Sequence, residues 1–398
     1  MGSEVFRGGY VQLKLLRHFH RKPSSTNFIP EIDGLRFLAI ITVVLFHLNT
    51  ALTKELGIEI SQALVEMGGA KINFTLAWWW VRLDLGVKVF FAISGFVLAL
   101  PFLRFYLGLS KKKIDLKSYF IRRLTRLEPP FIVTLIFLYL IHVFLLKEDL
   151  WDFLKHLGAG LIYGHVFIFG YGNPINPVTW SLETEAQFYV IIPVVMWIVF
   201  KGRSAFTSSL CLLALIASSI LFRNEFAFSA HWGRSILAYF SNFAVGIVVC
   251  WIYLRNYEWF NTRFWMYDVV GLIATLGLFY FYKPQHEIVN QLFFNFSITL
   301  VMITAFKGVV FNWFYTRPLI YMIGGMCYSI YLIHYAFLHL SMKFTKILVF
   351  NSWSYTQNLA LQVIVNLVLV LLVSSVFFLL IEKPTMDKNW IRKLLKKR

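Results

Sequence analysis

Residues 36–47 read RFLAIITVVLFH, an arginine and a histidine eleven positions apart with no charge between them. Eleven helical steps of ~100° make about three turns plus ~20°, so Arg36 and His47 fall on one face. At ~1.5 Å per residue they stand ~16 Å apart, roughly half of a ~30 Å hydrocarbon core. The spacing places Arg36 near one membrane surface and His47 near mid-depth. An ionisable group at that depth is costly and marks a functional site by default. The stretch predicts a membrane-spanning helix that carries a polar column.

The rest of the chain supports a membrane setting. Of its 398 residues, 58% are hydrophobic and 15% charged. A soluble domain cannot hide so much apolar surface, so the expected class is an all-α polytopic membrane protein. The net charge of +18 raises nucleic acid as a partner. The basic residues lie in short loops between apolar runs, which points instead to membrane lipids and excludes nucleic acid. Cys211, Cys250 and Cys327 all fall inside apolar runs and give neither a disulfide framework nor a metal spacing. No metal site is expected. The basic, mixed N-terminus lacks the pattern of a cleavable signal peptide.

Apolar runs of spanning length predict ten helices, at 35–52, 84–103, 130–146, 183–200, 206–222, 234–254, 264–282, 289–306, 318–341 and 358–381. The Gly-rich stretch 154–170 reads as a re-entrant or interfacial piece buried against protein. Lys and Arg number 26 on the side holding both termini and 10 on the other. The positive-inside rule then puts both termini in the cytoplasm, as an even number of spans requires. Three regions follow: a basic amphipathic segment 1–30 along the inner leaflet, a transmembrane domain 31–384 and a basic tail 385–398.

Three further clusters carry chemistry. Arg122, Arg123 and Arg126 precede Glu128-Pro129-Pro130 at the third span. Their i,i+3 and i,i+4 spacing, with Arg36, suits a cytoplasmic anion site for phosphates, although taken alone the cluster reads more simply as a plain positive-inside anchor. The fourth span opens with Trp180-Ser181-Leu182-x-x-Glu185. With Trp180 in the outer aromatic belt, Glu185 lies ~7 Å deeper along the helix, near the depth of His47. There it can orient the imidazole, or else face water at the interface. In the ninth span Tyr328, Tyr331 and His334 follow i, i+3, i+6 and suit a cavity wall; helix–helix hydrogen bonding is the simpler role for Tyr328. Trp78-Trp79-Trp80 reads as an interfacial belt.

Six segments together resemble acyltransferase family 3. They are Asp33-Gly34-Leu35-Arg36 with His47; Gly86 to Phe96; Arg122-Arg123-x-x-Arg126; Trp180-Ser181-Leu182-x-x-Glu185-x-x-Phe188-Tyr189; Gly325-x-x-Tyr328-x-x-Tyr331-Leu332-x-His334; and Glu382-Lys383-Pro384. They recur in the family's order over about residues 31–384. The resemblance implies transfer of an acyl group, usually acetyl from cytoplasmic acetyl-CoA, to a hydroxyl of a glycan or lipid-linked glycan beyond the membrane. It implies a multi-pass protein of the plasma (bacterial inner) membrane, with acyl-CoA as substrate and no resident cofactor. It makes Arg36 and His47 the functional pair and adds Glu185. Trp180, Ser181, Tyr328, Tyr331 and His334 then line the binding cavity. Lys88 stands where family members often carry Asp, which puts a catalytic role there in doubt. No fused external esterase-like domain is expected after the tenth span.

A positioned histidine is the natural base for a hydroxyl nucleophile, and an acyl-imidazole relay is also open to it. The competing reading is a secondary transporter with His47 and Glu185 as a proton relay, yet no inverted repeat is apparent. A membrane scaffold gives no reason for the Arg–His column.

Overall fold

The computed structural model describes residues 28–69, 75–112, 114–282, 287–387 and 390. The N-terminal amphipathic segment and most of the basic tail lie outside the described residues. Among the described residues every element is helical. Eight helices are long and apolar enough to cross a membrane. The helices used below are α1 Pro30–Leu56, α2 Gly86–Tyr106, α3 Leu116–Leu140, α4 Trp180–Phe200, α5 Ala205–Phe226, α6 Ile236–Arg255, α7 Met266–Phe281, α8 Ile288–Lys307, α9 Pro318–Gly325, α10 Cys327–Thr345 and α11 Tyr355–Phe377. Nine of the ten expected spans coincide with spanning segments among the described residues, 318–341 with the bent pair α9 and α10, whereas 264–282 falls on α7, an apolar helix of only 16 residues. The chain is an integral, multi-pass membrane protein.

Burial sorts the helices. The most apolar windows of α2 and α6 are 72% buried, whereas those of α5 and α11 are only 22% buried. The first pair forms the centre and the second pair is free to face lipid. Close approach of α2 and α6 depends on Gly246, where an added Cβ would lie 1.8 Å from the Ala92 carbonyl oxygen. Small residues let membrane helices pack backbone to backbone in this way.

Helix ends alternate between two faces of the bundle. On one, Asn312 donates to Glu31 in the first turn of α1 (3.0 Å). On the other, Lys346 donates to Glu55 at the far end of α1 (2.7 Å). The first will be called the Arg36 face.

Three expectations change. The ninth span is broken, because α9 and α10 meet at 69° around Met326. Gly324 and Gly325 end α9, and Gly324 presses so close to α1 that a Cβ would lie 1.7 Å from the Asp33 carbonyl oxygen. The third span begins earlier than 130: Asp115 caps α3 by accepting from the Ser118 amide (3.2 Å), and Pro129 and Pro130 sit inside the helix. The arginine cluster is therefore helical rather than a loop. Trp78 is buried in the core and its ring supports the Arg82 guanidinium, at 4.3 Å, so the tryptophan triplet is not simply a lipid-facing belt. The stretch 154–170, expected to be buried against protein, forms two short helices, Leu150–Leu161 and His165–Phe169, and Phe153 and Leu157 of the first pack in one cluster with Phe131 and Leu135 of α3.

Candidate active site

The first half of α3, the start of α4, the middle of α2, the second turn of α1 and the start of α10 enclose a cavity of about 760 Å³, its open mouth included. Arg36, Arg123 and Arg126 line it together with Ser181, Glu185, Tyr328 and Tyr331. Three cations in an intramembrane cavity are costly unless they meet anions.

The cavity's protein anions are placed as follows. Arg36 pairs with Asp33 one turn earlier, and it also faces Cys327 and Glu185 electrostatically. Glu185 accepts from the Ser94 hydroxyl of α2 (2.5 Å) and from Tyr189, one turn along its own helix. Glu382 is fully buried, and one of its oxygens accepts from the Ser329 amide (3.0 Å) and hydroxyl (2.5 Å). Its other oxygen has no partner, and the carboxylate faces Arg126 and Arg36. Asp33, Ser94, Tyr189 and Glu382 all lie in the quoted motifs, yet for Ser94 and Glu382 no role follows from sequence spacing. Only Asp33 at i−3 to Arg36 and Tyr189 at i+4 to Glu185 left a readable signal.

The two halves of the expected site separate. Glu185 joins Arg36, not His47. The His47 ring instead contacts His334 (centroids 5.2 Å) and Tyr335 (5.2 Å). The expected pairing of Glu185 with His47 is therefore corrected, and its cause is the depth of α4. Tyr331 donates to the Val178 carbonyl (2.6 Å), and Asn176 donates to the Leu332 carbonyl (2.9 Å). These bonds draw the start of α4 into the bundle, to the level between Cys327 and His334. Trp180 accordingly packs on Tyr239 (5.5 Å) and Phe91 (6.3 Å) rather than in an outer belt.

His334 holds a defined tautomer. Its Nδ1 lies 2.8 Å from the Tyr331 carbonyl oxygen and 3.1 Å from that of Ile330. Carbonyl oxygens only accept, so Nδ1 carries the hydrogen and Nε2 of the neutral ring is a bare lone pair. That Nε2 is buried and has no hydrogen-bond partner. His334 does not line the cavity with Arg36; the Tyr331 ring stands between, 5.7 Å from His334. Because the Tyr331 hydroxyl donates to Val178, Ser181 is the donor in the 2.5 Å Ser181–Tyr331 hydrogen bond. Tyr328 lines the cavity and also bonds the Leu127 carbonyl of α3 (2.8 Å), so the two roles expected for it coexist. Arg122 is exposed and does not line the cavity, which removes it from the expected anion site.

A family model described as acyltransferase domain matches residues 29–379, and the chain belongs to acyltransferase family 3. It is 25% identical to the O-acetyltransferase OatA of Staphylococcus aureus (strain NCTC 8325 / PS 47), across 93% of this chain and 59% of that protein. It is 28% identical to the peptidoglycan O-acetyltransferase OatA of Listeria monocytogenes serovar 1/2a (strain ATCC BAA-679 / EGD-e), across 44% of this chain and 25% of that protein. The chain thus spans about three fifths of the length of the first of these relatives. No solved structure matches it.

Proposed function

We propose that this protein transfers an acyl group, acetyl in the first instance, from acyl-CoA to a hydroxyl of a cell-surface or lipid-linked glycan. The observation that carries the reading is the cavity in which Arg36, Arg123 and Arg126 converge inside an apolar bundle. Its chemistry suits the phosphates of a CoA donor: guanidinium groups bind phosphate oxygens in bidentate fashion, and the low dielectric strengthens each pair. The names of the two relatives support a glycan hydroxyl as acceptor. The positive-inside count puts the Arg36 face in the cytoplasm, where CoA esters are made, and the acceptor beyond the other face.

The donor's phosphates rest on Arg36, Arg123 and Arg126, and its extended arm carries the thioester past Tyr331 toward His334 and His47. The acceptor hydroxyl attacks the thioester carbonyl. An imidazole lone pair removes the hydroxyl proton, the C–O ester bond forms and the C–S bond breaks. The imidazolium returns that proton to the departing sulfur, so that CoA leaves toward the Arg36 face as the free thiol and the neutral base is restored. His47 is the general base, and a base so placed contributes ~10²–10⁴-fold. His334, fixed through Nδ1, offers its Nε2 lone pair beside it.

Two expected results test the donor site. Arg36→Lys should raise the KM for acetyl-CoA about tenfold or more. Lysine keeps the charge opposite Asp33 but loses the planar fork, and hydrogen bonds to charged groups are each worth about 1.5–3 kcal/mol. Arg36→Ala is the poorer probe, since it deletes the ion pair with Asp33 along with any contact to the donor. Calorimetric titration with CoA checks the result, and unchanged affinity in the lysine variant would remove Arg36 from the site. Glu185→Gln should lower kcat/KM for the donor about tenfold, the worth of one charge-assisted hydrogen bond. It should leave the histidine-dependent limb of the kcat–pH profile in place, because Glu185 contacts Ser94 and Tyr189 instead of His47. A displaced limb would show that the carboxylate reaches the imidazole during turnover.

A further inference from the structure

A second, narrow cavity, of about 380 Å³ with its open mouth included, lies between α2, α5, α6, α7 and α8 and is lined by Lys88, Arg223, Asn242, Tyr282, Asn290 and Asn295 among others. None of these residues belongs to the arginine-lined cavity. Lys88 is in the first turn of α2, Arg223 in the last turn of α5, Tyr282 directly after α7, and Asn290 in the first turn of α8. With alternating spans, all four helix ends lie on the face opposite the Arg36 face. The two cavities thus approach the bundle from opposite sides.

They also share a wall. Phe91 and Ser94 of α2 line the first cavity, and Lys88, one turn earlier, lines the second. Between them the Phe91 ring packs on Tyr239 (5.2 Å), and Tyr239 is hydrogen-bonded by Arg223. One aromatic layer separates the two sites.

The lining has a definite chemistry. Lys88 is 5% exposed and donates to Asp84 (3.0 Å) and to the Tyr282 hydroxyl (2.5 Å), while Tyr282 donates to Asp84 (2.5 Å). Asp84 thereby balances Lys88. Arg223 carries no acidic partner in this cluster; its guanidinium lies over the Tyr239 ring at 4.2 Å. One of its terminal nitrogens is buried with no hydrogen-bond partner, an N–H donor that an anion would satisfy. The remaining polar lining is carboxamide, including Asn242, which donates to Asn295 (2.7 Å). Carboxamides and a tyrosine supply paired donors and acceptors for hydroxyl and acetamido groups.

On the acyltransferase reading, we infer that this second cavity is the acceptor subsite. Its open mouth receives an anionic sugar unit, with the acid group reaching in to Arg223 and the hydroxyl or acetamido groups on the carboxamides. The bound sugar lies one aromatic layer from the thioester cavity, which explains how a donor and an acceptor on opposite faces meet within one protein.

The test uses the full chain in lipid nanodiscs and three calorimetric titrations. The probes are the N-acetylglucosaminyl–N-acetylmuramic acid disaccharide, its neutral methyl ester, and acetyl-CoA as control. The wild type should bind the acid at least tenfold more tightly than the ester. Arg223→Gln should erase that difference, and Asn295→Asp, which keeps the Asn242 hydrogen bond and adds a negative charge, should weaken acid binding about tenfold. Acetyl-CoA affinity should be unchanged in both. No binding of the acid by the wild type, equal binding of acid and ester, or parallel loss of acetyl-CoA binding would each overturn the subsite. Transfer assays separate the two levels. Binding that depends on Arg223 without any acyl transfer leaves the subsite standing and overturns the acyltransferase reading. Transfer with an unchanged acceptor KM in Arg223→Gln does the reverse.

Discussion

Replacing His47 with alanine should cut acyl transfer by ~10²–10⁴-fold, the usual worth of a positioned base, while the protein inserts and purifies as the wild type does. His47 is only partly buried, and its contacts among the described residues are ring contacts with Phe46, His334 and Tyr335. Alanine therefore leaves no buried polar group stranded and removes little packing. Donor affinity should stay within about twofold, because the arginine-lined cavity does not include His47. His334→Ala should also lower the rate but should cost stability too, since two backbone carbonyls lose the Nδ1 donor. Measuring turnover, CoA affinity and melting temperature on both variants distinguishes the roles. Near-wild-type turnover of the His47 variant would dismiss it as the base.

The largest effect on the fold should come from adding one carbon at Gly324. A Cβ there would lie 1.7 Å from the Asp33 carbonyl oxygen and 2.9 Å from the Phe37 nitrogen. Both are backbone atoms of α1, so no side-chain rotation relieves the clash. Gly324→Ala should therefore push α9 from α1 and destabilise by about 3 kcal/mol or more, the upper range for overpacking. The displaced segment carries Asp33 and, one turn on, Arg36, so CoA affinity should fall with stability. The neighbouring glycine is the control. A Cβ at Gly325 meets nothing within 4 Å, and alanine there should be neutral or gain up to about 1 kcal/mol of helix propensity. Thermal unfolding of the two variants in one detergent decides the matter; equal melting temperatures would contradict the close approach of α9 and α1.

The spans were legible because a ~30 Å core needs long apolar runs, and runs such as 236–255 or 288–307 admit little else. The break at Met326 was not, because residues 318–341 stay apolar through the glycines and a bend leaves no compositional trace. The start of α3 was misread because Pro129-Pro130 imitates a helix start, whereas the amphipathic arginine stretch before it is itself helical. The arginine site was partly legible: three of the four expected arginines converge, and Arg122 turns outward. Depth was the hidden quantity at Glu185. Counting inward from Trp180 assumes that the tryptophan marks the membrane surface. The structure instead holds Val178 and Asn176 against α10 through Tyr331 and Leu332. That tertiary contact moves the carboxylate from His47 to Arg36.

The central claim is transfer between opposite faces by one protein. It is tested most directly in sided proteoliposomes of the full chain, with acetyl-labelled acetyl-CoA on one side of the membrane and a glycan acceptor on the other. The account predicts that label becomes covalently attached to the glycan when the CoA ester is on the Arg36 face, and that the His47→Ala variant attaches none. Label that crosses the membrane unattached, or attachment only when donor and acceptor share a face, would contradict it.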